Sequence, residues 1–81
     1  MPRGIFNWTF ADVDRFLRDH GFRVDHKHTA GSHYFYHGSV ENKLKIVHVP
    51  FHGSFTIKPK TIKTIILQSG ISKEEWIARN N

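Results

Sequence analysis

Between Gly21 and Pro50 this chain reads as three extended stretches, the first alternating at period two, and on either side of them apolar residues recur at helical spacing. A chain patterned this way must pair neighbouring strands into one sheet and cover it with the flanking helices. The first helix is expected over about residues 10–20. Thr9 suits its N-cap, Asp12 completes a capping-box pattern, and Trp8 and Val13 stand at the positions of a hydrophobic staple. Val13, Phe16 and Leu17 form its apolar stripe. Gly21 supplies a left-handed stop, on which Phe22 can fold back.

Three extended stretches follow. Residues 22–28 alternate, Thr29-Ala30-Gly31 makes a short hairpin link, and residues 32–37 are aromatic and strand-like. The alternation puts His33, Phe35 and His37 on one face and Ser32, Tyr34 and Tyr36 on the other. Residues 38–42 read as a turn-rich loop, and residues 44–49 as a third strand stopped by Pro50. Links this short favour an antiparallel meander. Residues 51–56 read as a loop. A second helix is expected from Pro59 or Lys60 to Ser69, with Ile62, Ile65, Ile66 and Ser69 on one face and Gly70 as its stop. Ser72 and Glu75 form another capping box, opening a short terminal turn that docks Trp76 and Ile77. The expected fold is therefore α+β, in the order α-β-β-β-α. It has a three-stranded antiparallel sheet, two helices on one face and a short C-terminal helix, and it resembles the double-stranded-RNA-binding domain.

Size and charge narrow the function. Eighty-one residues leave room for one domain, taken as residues 1–81. Cysteine is absent, which excludes disulfides, a thiolate zinc site and a cysteine nucleophile. Twelve Lys and Arg against seven Asp and Glu leave a net charge of +5, which draws the chain to polyanions, nucleic acid first. No apolar run suggests a signal peptide or a membrane span, so a cytoplasmic protein is expected.

The densest chemical element is Gly31-Ser32-His33. A glycine lets a phosphate approach the backbone closely, a serine hydroxyl can hold a phosphate oxygen, and a histidine exchanges protons near neutral pH. RNA carries its own nucleophile, the 2′-hydroxyl, so little more is needed for cleavage. Spacing alone, however, favours an ordinary hairpin glycine followed by a polar strand residue. Pro50 stiffens the backbone before His52, which either approaches His33 as a second acid–base or phosphate-gripping group or is a surface loop residue. Lys58, Lys60 and Lys63 flank the start of the second helix, where carboxylates would better suit the helix dipole. With Lys27 they are the candidate RNA-binding cations. The acidic residues are too scattered for a two-metal nuclease, and no metal or other cofactor is expected.

The stretch GSHYFYHG, then VPFH, then the lysine-flanked helix ending LQSGIS before EEW, resembles the HicA toxin family. These are small mRNA interferases of type II toxin–antitoxin modules, and the similarity spans roughly residues 9–77. The resemblance implies a metal-independent endoribonuclease that cleaves mRNA and arrests translation and growth. It places the catalytic histidine at His33, with Gly31 and Ser32 beside it and His52 in a supporting role. It also implies a HicB-like antitoxin that masks the active site. The chain departs from the family pattern at Thr29 and Ala30, at His37-Gly38 and at Lys60, which bears on substrate preference and antitoxin fit. A non-catalytic double-stranded-RNA-binding module is the alternative. There the lysines would grip phosphates across a groove and His33 would be incidental.

Overall fold

A computed structural model describes residues 7–25, 33–51 and 56–79. The first helix, α1, spans Phe10–Asp19. Its capping box is complete: the Thr9 hydroxyl accepts from the Asp12 N–H, and the Asp12 carboxylate accepts from the Thr9 N–H at 2.9 Å. At the other end Gly21 takes φ 86°, the Gly21 N–H reaches the Arg18 carbonyl, and the Phe22 N–H reaches the Leu17 carbonyl at 2.9 Å. Those two bonds satisfy carbonyls that a helix end leaves open, and they turn Phe22 back into the core.

Three strands follow as an antiparallel sheet in the order β1-β2-β3: β1 at Arg23–Val24, β2 at His33–Val40 and β3 at Lys43–Pro50. The Asp25 N–H extends the first pairing to the Phe35 carbonyl at 2.7 Å. The remainder of the expected first strand, its hairpin link and the expected first residue of the second strand, residues 26–32 together, lie outside the described residues. One expectation is corrected. Gly38, Ser39 and Val40 belong to β2 rather than to a loop, and the reversal takes two residues, Glu41 and Asn42, at φ 53° and 65°. Two successive positive φ values match the strand twist and close a tight hairpin. Gly38 is a glycine for a packing reason: the Phe22 ring lies against it, and a Cβ there would stand 2.7 Å from that ring.

Helix α2, Pro59–Ser69, buries Ile62, Ile65, Ile66 and Ser69 as expected and ends on left-handed Gly70. Helix α3, Lys73–Arg79, follows a turn in which the Ser72 hydroxyl accepts from the Glu75 N–H. Trp8, Leu17, Tyr36, Val47, Val49, Ile62, Ile65 and Trp76 form the core between the helices and one face of the sheet. Phe16 stacks on Trp76 at 3.7 Å. Ser69 is buried without penalty: its hydroxyl donates to the Ile66 carbonyl at 2.7 Å and accepts from the Trp76 indole at 3.2 Å. The Ile57 N–H bonds the Trp8 carbonyl at 2.7 Å, which sets the entry to α2 beside the entry to α1. The result is the α+β arrangement of a double-stranded-RNA-binding domain, and among the described residues no helix or strand covers the second face of the sheet, its open face.

Candidate active site

The alternation of β2 and β3 decides what the open face carries. Tyr36, Val47 and Val49 point into the core, so His33, Phe35 and His37 of β2 and Leu44, Ile46 and His48 of β3 share the other face. The register pairs Phe35 with His48 and His33 with Pro50, which makes His48 the diagonal neighbour of His33. Their rings meet. His48 Nε2 lies 2.9 Å from His33 Nδ1, close enough to share one proton in a hydrogen bond. The His48 ring also stacks on Phe35, with centroids 4.6 Å apart and planes 12° from parallel.

Helix α2 forms the wall beside this pair. β3 is an edge strand, and its outward His48 N–H is taken by Gln68 Oε1 at 2.9 Å. A surface cleft of about 290 Å³ lies between His33, His48 and Pro50 on the sheet and Lys60, Thr61, Thr64 and Gln68 on the helix. Lys60, Thr64 and Gln68 recur at steps of four with Thr61 beside them, so one stripe of α2 faces the imidazoles. The helix begins on Lys58, whose side chain makes no cap, and its first turn holds no acidic residue. With neither, this end keeps its positive dipole, and Lys60 lines the cleft beside it. A second hollow of about 360 Å³ on the open face is lined by Asp25, Phe35, Tyr36 and Ile46.

His33 is exposed on β2 and lies in the cleft with Lys60. Lys58, at the N-cap of α2, and Lys63, on the helix, are exposed but outside the cleft lining. Gly31, Ser32, His52 and Lys27 lie outside the described residues. His48 was not singled out by sequence reasoning. Its signal was available in parity, since it alternates with buried Val47 and Val49, but its partner becomes visible only once the two-residue turn fixes the register. Among the described residues no three His, Asp or Glu side chains converge to hold a metal ion. None of the described helices is long and apolar enough to cross a membrane.

A basic domain of this fold, with an imidazole pair beside a cationic helix end, has the groups to engage a phosphodiester. A family model described as the HicA toxin of bacterial toxin–antitoxin matches residues 10–71, from the start of α1 to just past α2. The chain belongs to the HicA toxin family, and its role is that of the toxin of a toxin–antitoxin pair. No curated protein and no solved structure matches the chain.

Proposed function

We propose that this toxin is an endoribonuclease, an mRNA interferase of a type II module, with His33 as its catalytic histidine. The observation that carries the reading is the placement of His33: exposed, in a cleft, with the Lys60 cation and the open end of α2 across from it. The lysine and the helix end stabilise the charge that develops on a phosphate under attack. His33 takes the proton from a ribose 2′-hydroxyl or returns it to the departing oxygen. As the 2′-oxygen bonds to phosphorus, the bond to the 5′-oxygen breaks. The products are a 2′,3′-cyclic phosphate and a 5′-hydroxyl. A water activated by the same imidazole would give direct hydrolysis instead, and the product end distinguishes the two.

Gly31 and Ser32 precede His33 directly and are assigned to the phosphate; His52 is assigned a supporting acid–base or phosphate contact. Lys27, Lys58 and Lys63 extend the basic surface along the RNA. The hollow beside Phe35 and Ile46 offers an apolar aromatic surface on which a neighbouring base can stack. The same open face exposes Leu44 at 70% and Ile46 at 48%, apolar area that a HicB-like antitoxin would cover while silencing the site. Both the RNA and the antitoxin are assigned to the cytoplasm.

Incubation of the purified protein with end-labelled single-stranded RNA tests the reading. The expected result is cutting that persists in excess EDTA, because imidazole acid–base chemistry on a 2′-hydroxyl needs no metal. Tight binding of duplex RNA without any cutting would identify a binding module instead.

A further inference from the structure

The 2.9 Å contact between His33 Nδ1 and His48 Nε2 accommodates one proton, so at any moment one ring donates and the other accepts. That occupies Nδ1 of His33 and leaves Nε2 as the nitrogen that can meet substrate. The two rings are held very differently. His33 is exposed on the open face of β2. His48 lies within β3 between buried Val47 and Val49, with its ring on Phe35 and its backbone N–H on Gln68. The anchored ring orients the exposed one.

We infer that His48 is the positioning and proton-sharing partner of His33, making Nε2 of His33 the working nitrogen of the site. This rests on the reading of His33 given above. When Nε2 of His33 carries no hydrogen, the shared proton sits on its Nδ1 and Nε2 of His48 accepts. When Nε2 takes the proton of a 2′-hydroxyl, the O–H bond breaks and an N–H bond forms. The shared proton then crosses from Nδ1 of His33 to Nε2 of His48. The His33 ring is left neutral with a hydrogen on Nε2, ready for the departing 5′-oxygen. The positive charge passes to His48, whose ring is held stacked on Phe35. Return of the proton through the same two bonds restores the starting pair, so no external acid or base is consumed.

The test compares wild type with His48→Phe, which keeps a ring on Phe35 but cannot hydrogen-bond, His48→Gln, whose amide can bond Nδ1 but cannot carry the charge, and His33→Ala. Single-turnover cleavage of labelled RNA and RNA affinity are measured for each. His48→Phe is expected to slow the chemical step on the order of ten- to a hundredfold with affinity unchanged. His48→Gln is expected to fall between that variant and wild type, and His33→Ala to be inactive. Independently of activity, the 15N resonance of His33 Nδ1 is expected to shift in His48→Phe. That of His20, whose Nδ1 is bonded to the Phe16 carbonyl, should stay in place. An inactive His33→Ala beside a His48→Phe that cuts at the wild-type rate would overturn the partnership alone. Loss of affinity without loss of rate in His48→Phe would also overturn it. A His33→Ala variant that still cuts would overturn the reading on which it rests.

Discussion

The side-chain carbonyl of Gln68 accepts a 2.9 Å hydrogen bond from the backbone N–H of His48, so α2 is pinned to the free edge of β3 at the residue whose ring meets His33. An edge strand leaves alternate N–H groups without a ladder partner, and here a glutamine supplies one. Gln68→Ala is expected to cost about 1 kcal/mol in chemical denaturation. It should also slow RNA cleavage, because the His48 strand loses its tie to the cleft wall. Unchanged cleavage in a variant destabilised by that amount would show that the tie is structural only.

Tyr36 couples the sheet to α1: its hydroxyl donates to Asp14 at 2.6 Å, and Asp14 also accepts from Arg18 at 2.9 Å. Burial, followed by the bond to the Asp14 carboxylate, pushes the phenol well above its ordinary range. The folded state therefore holds this proton when the unfolded chain has released it. The stabilisation is fully present below about pH 10, the unfolded value, and is lost as pH rises through the folded one. Tyr36→Phe is expected to lose about 1–2 kcal/mol at neutral pH. Its stability should fall less steeply than that of wild type above about pH 10, as read by urea denaturation across that range. Parallel alkaline profiles would contradict the assignment.

Lys60 lines the cleft and Lys63 does not, although both are exposed on α2. Charge reversal separates a phosphate contact from a general field. Lys60→Glu is expected to weaken RNA binding roughly tenfold and to lower the salt dependence by about one counterion, with Lys63→Glu affecting both less. Equal effects in filter binding at two salt concentrations would assign the lysines to a diffuse basic surface.

What the sequence revealed was local. Thr9 with Asp12, Gly21 with Phe22, the Ile62-Ile65-Ile66 face and Gly70 are signals carried within a turn or two of chain, and each forms the expected structure. The parity of β2 was legible for the same reason, and with it the shared face of His33 and Phe35. The hairpin was not. Asn tolerates positive φ but Glu rarely does, so Glu41-Asn42 gave little sign of a two-residue turn. Gly38 looked like loop punctuation, whereas it makes room for a ring sixteen positions earlier in the chain, Phe22. Misplacing the turn hid the register, and without the register His48 could not be seen beside His33. The division of Lys58, Lys60 and Lys63 likewise depends on which stripe of α2 faces β3, which only tertiary packing fixes.

On the proposed function, the exposed imidazole at position 33 performs the chemistry. The most direct test is cleavage of labelled RNA by His33→Ala, with circular dichroism and the unfolding midpoint measured on the same preparation. A variant folded as stably as wild type, binding RNA with similar affinity and producing no cut ends, is the predicted result. Cleavage at the wild-type rate by that folded variant would contradict the account.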